Sequence, residues 1–307
     1  MKPIISLIKP YLRWFIFATT LVFIVKIFKD NWQNITEVHL TINGWLWLIL
    51  SLFMTLIAHI WSAWVWTWIL QTFQQNFSHL WGIRVYLITN IAKYLPGNVG
   101  HFYGRVSAIS QQGSSLSVAS FIVLLEPLLM AASALLIALF SHLIGLIETA
   151  SNPWLLTLQI LSLVIVLLGL HPFILNQIIL TSNKFNKTDK KASVSLEKYP
   201  SLLLLGEIGF ILLRGLGFLG TWVAFMPITI YQIPQLLSAF SFAWLLGLII
   251  PGAPGGIGVF EATMITLLKT SNFPLSILLS TIAIFRVISI IAELLGAGLG
   301  LLLKNRE

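Results

Sequence analysis

The 307-residue sequence contains no cysteine, so disulfides, thiolate metal sites and cysteine nucleophiles are excluded together. Charge is also scarce. Only 9% of residues are Asp, Glu, Lys or Arg, where a soluble domain carries about a quarter. No polar stretch is long enough to fold separately as a catalytic domain; the longest, around Thr181–Pro200, is a basic loop. A Gly-x-x-x-x-Gly-Lys phosphate loop is missing, which removes ATP as a direct drive. Basic stripes with interleaved aromatics are missing as well, so no nucleic-acid partner is expected. No cofactor and no metal site are expected, since His59, His101 and His171 have no carboxylate or second histidine at ligand spacing.

What is abundant is hydrophobicity, at 57% of residues. Six long apolar segments, about 11–29, 44–71, 116–147, 153–182, 201–226 and 273–303, approach or exceed the roughly 18–20 residues that span a bilayer. The first follows a basic start without a small-residue cleavage site, and is read as a retained helix. Trp45 and Trp47 near one end of the second segment, and Trp61, Trp64, Trp66 and Trp68 near the other, fit two interfacial belts. Two further segments, 79–112 and 233–269, are each centred on a Pro/Gly break.

The net charge of +8 orients the chain. With each long segment crossing once and each broken segment entering and leaving on one side, Lys2, Lys9 and Arg13 lie inside. The basic loop 183–200 and the C-terminal Lys304 and Arg306 then also lie inside. That arrangement obeys the positive-inside rule and places both termini in the cytoplasm. The expected fold is an all-α polytopic membrane protein, a single integral membrane domain over 1–307. It would have about six full transmembrane helices plus two re-entrant broken hairpins.

The breaks resemble each other. "PGNVGHF" (Pro96–Phe102) aligns with "PGGIGVF" (Pro254–Phe260), and "LSVASFIVLLE" from Leu116 with "LSILLSTIAIF" from Leu275. Repeat one then runs about 11–148 and repeat two about 153–303. Three crossings per half make the repeat inverted, the arrangement of transporters whose discontinuous helices meet near the midplane. Pro96, Gly97, Pro251 and Pro254 mark the helix breaks. Gly255, Gly256 and Gly258 would let the chain turn and present backbone N–H groups to an anion at the start of a half-helix.

Charges inside apolar segments cost about 2.5–3.5 kcal/mol each on insertion scales, so they pair, face the interior or line a pathway. Arg286 is the leading headgroup contact, because a guanidinium grips phosphate bidentately. Glu261 is its expected partner or a proton carrier. Arg105 and Asn98 flank the first break. Glu126, Glu207, Arg214 and Glu293 are supporting intramembrane charges, with Glu207/Arg214 and Arg286/Glu293 each drawing a polar stripe two turns long. Bland readings stand beside these: ions that only neutralise one another, glycines that only permit close packing, and an Asn34–Thr36 sequon that is common by chance.

"YLPGNVGHFYGR" (Tyr94–Arg105) and "PGAPGGIGVFEA" (Pro251–Ala262), with an arginine in the final helix, resemble the lysylphosphatidylglycerol synthase transmembrane-region family. The family includes the flippase-like membrane half of the bacterial multiple peptide resistance factor. The resemblance implies lipid movement between leaflets, in a bacterial plasma membrane. It carries the family pattern to Pro96, Gly97, Arg105, Pro254, Gly255, Gly256, Gly258, Glu261 and Arg286. That factor's soluble aminoacyl-transferase domain has no counterpart here, so transport of a phospholipid or lipid-linked intermediate is expected and synthesis is not. The implied partner is a lipid with an anionic or phosphate-bearing headgroup. Two alternatives stay open: an integral-membrane glycosyl or lipid transferase using Asp30 and Glu37, or a non-catalytic partner of a separately encoded lipid-modifying or glycosyltransferase enzyme.

Overall fold

The computed structural model describes residue 29 and residues 40–94, 98–143, 153–185, 195–250, 254–268 and 273–304. Ten α-helices and two short 3-10 turns make up the described chain, which has no strand. They are α1 (Ile42–Thr72), α2 (His79–Asn90), a 3-10 turn (Ile91–Tyr94), α3 (Gly100–Gln111), α4 (Leu116–Leu143), α5 (Pro153–Gly169), α6 (Pro172–Phe185), α7 (Ser201–Phe225), α8 (Gln232–Ile249), a second 3-10 turn (Pro254–Gly256), α9 (Val259–Leu268) and α10 (Leu275–Lys304). The expected helix at 11–29 apart from residue 29, Asp30 and Glu37, the sequon at Asn34–Thr36, Pro96, Gly97, Pro251 and residues 186–194 of loop 183–200 lie outside the described residues.

Five helices, α1, α4, α7, α8 and α10, are long and apolar enough to cross a membrane, and α5 with α6 makes a sixth if the bent pair is one span. The chain is therefore an all-helical, polytopic membrane protein. Segment 153–182, read as one apolar run, bends by 64°. α5 ends at Gly169, and Pro172 opens α6 at the position where its missing N–H costs nothing.

The two broken segments differ in length. α2 and α3 have 12 residues each, roughly 18 Å, about three-fifths of a hydrocarbon core. In the second segment only α9 is short, at 10 residues, whereas the 18-residue α8 is long enough to cross by itself.

Close packing is made with small residues. α1 lies along α7, where Ser51 Oγ donates to Gly217 O (2.5 Å) and meets Thr221 Oγ1 at 2.7 Å. Thr41 and Ser78 cap α1 and α2 by accepting from the N–H groups of Gly44 and Trp81. One apolar core gathers Trp66, Phe73, Tyr86, Ile122 and Leu129. A second is an aromatic stack of Phe218, Trp222, Phe240, Phe260 and Phe285. Polar and charged side chains are nonetheless buried throughout, and their placement defines the site.

Candidate functional site

The two breaks touch. After the 3-10 turn at Ile91–Tyr94, the chain passes through Asn98 in the left-handed region (φ 52°) and starts α3. Asparagine is among the few residues that tolerate this conformation. In the second break Gly255, Gly256 and Gly258 have φ of 58°, 71° and 89°. The Tyr94 ring lies against Gly255 so closely that a Cβ there would fall 2.7 Å from Cε1. Gly256 lies against the backbone of Gly247 on α8, where a Cβ would fall 2.9 Å from the Gly247 Cα.

Arg286 on α10 fastens the second break. Its Nε donates to Glu261 Oε1 at 2.5 Å, Nη1 to Gly255 O at 3.0 Å and Nη2 to Gly256 O at 2.9 Å. Its guanidinium also sits 4.8 Å from the centre of the Phe260 ring. The other Glu261 oxygen accepts the Gly258 N–H at 2.6 Å. The glycine pattern alone predicts a turn that offers N–H groups to an anion. Instead Gly255 and Gly256 present carbonyl oxygens to Arg286, and the carboxylate three residues into the turn takes the free N–H, as in a capping box.

One helical stretch further along α10, Glu293 fastens the first break. Its Oε1 lies 2.6 Å from Lys93 Nζ, 3.2 Å from His59 Nε2 and 3.6 Å from Arg214 Nη1. Arg214 Nη1 is 2.9 Å from His59 Nε2, and Nη2 donates to Ser289 Oγ at 3.2 Å. A single helix thus grips both breaks.

A third cluster is deeper. Arg105 on α3, 1% exposed, donates from Nη1 to Glu126 Oε2 on α4 at 2.5 Å. Tyr86 OH donates to Glu126 Oε1 at 2.6 Å and is itself 2.6 Å from Ser62 Oγ. The guanidinium stacks 3.7 Å from the Tyr86 ring centre. Glu207 on α7 is fully buried, and neither of its oxygens has a hydrogen-bond partner among the described residues.

These groups surround a cavity with two connected lobes. The outer lobe, about 560 Å³ of open space, is lined by Lys93, Tyr94, Asn98, Arg214, Gly255, Gly256, Arg286 and Glu293 among others. The deep lobe, about 470 Å³, reaches Tyr86, Asn90, Arg105 and Glu126. Lys93, His101, Arg214, Trp244 and Leu248 line both. Of the singled-out residues, Arg286, Asn98, Gly255, Gly256, Arg214 and Glu293 line the outer lobe, Glu261 and Gly258 adjoin it through Arg286, and Arg105 with Glu126 lines the deep one. Pro254 opens the second 3-10 turn.

Tyr86, Lys93, Tyr94, His59, Trp244 and Ser289 also line the cavity, although the sequence pattern does not mark them as site residues. A signal existed for Lys93 and Tyr94, which immediately precede the first Pro-Gly. None existed for His59, whose partner Glu293 lies far away in sequence. Among the described residues no group of three His, Cys, Asp or Glu side chains could hold a metal ion.

The family model for the lysylphosphatidylglycerol synthase TM region matches residues 13–296. The chain belongs to that family. Membership of the lysylphosphatidylglycerol synthase TM-region family supports a membrane lipid-related role, and the match takes in both breaks, Arg286 and Glu293. Comparison with curated proteins gives no match.

Breaking the Glu293 hub has a definite expected cost. Glu293→Ala leaves Lys93 and Arg214 without their shared carboxylate in a buried setting, which should destabilise the protein by about 3–5 kcal/mol. Thermal unfolding of the purified variant in detergent, beside wild type, measures this. A melting temperature within a degree of wild type would mean the hub contributes no net stability.

Proposed function

We propose that this member of the family is a flippase-like transporter that moves a phospholipid or lipid-linked intermediate between leaflets. The observation that carries the reading is the charge of the outer lobe. Lys93, Arg214 and Arg286 line it, Glu293 is the one carboxylate among its described lining residues, and Glu261 pairs with Arg286 beside it, so the three cations outnumber the two carboxylates by one. An excess of cations facing a cavity inside an apolar helical body suits an anionic or phosphate-bearing headgroup. The acyl chains would remain in the surrounding lipid.

The two halves support the reading in a second way. In the first, an arginine on the helix after the break (Arg105) pairs with a glutamate on the next long helix (Glu126). In the second, a glutamate on the helix after the break (Glu261) pairs with an arginine on the next long helix (Arg286). The same architecture with the charges exchanged is what an inverted repeat working by alternating access would use. Without a nucleotide-binding loop, transport runs downhill or is coupled to an ion. We place the protein in a bacterial plasma membrane with both termini in the cytoplasm, and an enzyme that makes or modifies the lipid would be a separately encoded partner.

The test is translocation of labelled phosphatidylglycerol, beside a zwitterionic lipid, in proteoliposomes. Wild type should accelerate movement of the anionic lipid over protein-free vesicles. Acceleration of neither lipid, nor of other phosphate-bearing lipids tried in the same vesicles, would sink the transport reading.

A further inference from the structure

Glu207 stands out among the buried carboxylates. Glu261, Glu293 and Glu126 each accept from cationic or N–H donors, whereas both Glu207 oxygens are buried and unpartnered among the described residues. An ionised carboxylate left like this loses several kcal/mol of hydration with nothing in return. α7 packs on α4, where Ser133 Oγ donates to Leu204 O at 3.3 Å, one turn from Glu207 and two turns from Glu126; the charges that act most on Glu207 are Glu126 and Arg105, and Tyr86 also feels its charge. These come from α4, α3 and α2. Among the described residues, α8 carries no titratable group, and the other helices packed on α7 bring His59 (α1) and Arg286 and Glu293 (α10); His59 and Glu293 collect around Arg214, two turns along α7, and Arg286 is held by Glu261.

One guanidinium and two carboxyl groups are electrically neutral together only when one carboxyl carries a proton. Glu126 is held as the ionised member, with Arg105 on one oxygen and Tyr86 on the other. We propose that Glu207 is a proton-binding site that shares one proton with Glu126 and exchanges it with the deep lobe during the transport cycle. Because neither Glu207 oxygen is hydrogen-bonded, the transfer runs through an entering water: the O–H bond of Glu207 breaks as the water takes its proton and gives one of its own to a Glu126 oxygen, and the pair keeps its single negative charge beside Arg105. Glu126 lines the deep lobe, so the proton can pass from it to water there. Metal binding is the poorer use of these oxygens, since no third acidic or histidine ligand is at hand among the described residues.

The proton site rests on the burial of Glu207 and on the missing partners of its oxygens; its coupling to lipid movement rests on the transport reading, and the experiment separates the two. Infrared difference spectra of the reconstituted full chain, in H₂O and D₂O, report carboxylic-acid C=O stretching directly. Wild type should show a buried acid band that Glu207→Gln lacks. Glu126→Gln should lack it too, because Arg105 then takes Glu207 as its carboxylate. No acid band in wild type, or the same band in Glu207→Gln, overturns the proton site.

The second arm imposes a pH gradient of one unit on the translocation assay. One proton carried per lipid biases the leaflet ratio by up to about tenfold, with a sign that follows the gradient. Glu207→Gln should lose that sign dependence. An identical gradient response in wild type and variant overturns the coupling. A wild type with the acid band but no lipid movement leaves the proton site standing and removes the transport reading instead.

Discussion

Arg286→Ala should slow lipid translocation by roughly ten- to a hundredfold and destabilise the protein more than most substitutions. The side chain makes one charge-assisted bond to Glu261 and two bonds to the carbonyls of Gly255 and Gly256, so its loss leaves a carboxylate and two acceptors stranded. Removing one partner of such a pair costs about 3–5 kcal/mol. If Arg286 also holds the headgroup, the lost charged hydrogen bond is worth about 1.5–3 kcal/mol, or roughly ten- to a hundredfold in rate. The two effects can be separated. Combining Arg286→Ala with Glu261→Gln removes both charges, so the double variant should be more stable than Arg286→Ala alone. Translocation should stay low in it. Recovered transport in the double variant would mean that Arg286 serves stability and does not touch the lipid. Arg286→Lys keeps the charge but cannot reach a carboxylate and two carbonyls at once, so it should restore stability better than rate.

Gly256→Ala has the next largest expected effect. Gly256 has φ 71°, and its added Cβ would come within 2.9 Å of the Gly247 Cα and 3.0 Å of the Gly247 carbonyl oxygen. Both obstacles are backbone, so no side chain can swing aside. Left-handed strain alone costs about 1–3 kcal/mol, and the collision adds to it by pushing α8 away from the turn that Arg286 holds. A melting temperature several degrees below wild type is expected, with translocation reduced in parallel. Gly298→Ala on α10, where a Cβ meets nothing within 4 Å, is the matched control and should match wild type. Wild-type behaviour of Gly256→Ala would show that the break is free to rearrange and is not a fixed part of the cavity.

Much of this was readable along the chain. The α1, α4, α7 and α10 spans follow from apolar runs of membrane length, because hydrophobic segment length is a local property. The breaks were equally visible, since proline and glycine act on the backbone where they stand. The polar behaviour of the second break was less so. Three left-handed glycines have several ways to aim their amides and carbonyls, and it is the approach of Arg286 from another helix that selects carbonyls facing inward. The bend between α5 and α6 was written in Gly169 and Pro172, yet an uninterrupted apolar run hid it.

By itself, then, the sequence determined an all-helical, polytopic membrane protein with two interrupted segments and costly charges buried among them. Chain-local physics suffices for that: apolar length, helix-breaking residues and the price of desolvating an ion. Tertiary structure alone decided which charges meet. Glu293 takes Lys93, His59 and Arg214 from three other elements, Glu126 takes Arg105 and Tyr86, and Glu207 is left without a donor among the described residues. Ion pairs between helices depend on rotation and depth of one helix against another. Those are set by close packing, such as Gly217 against Ser51 and Gly256 against Gly247, and no spacing within a single helix encodes them.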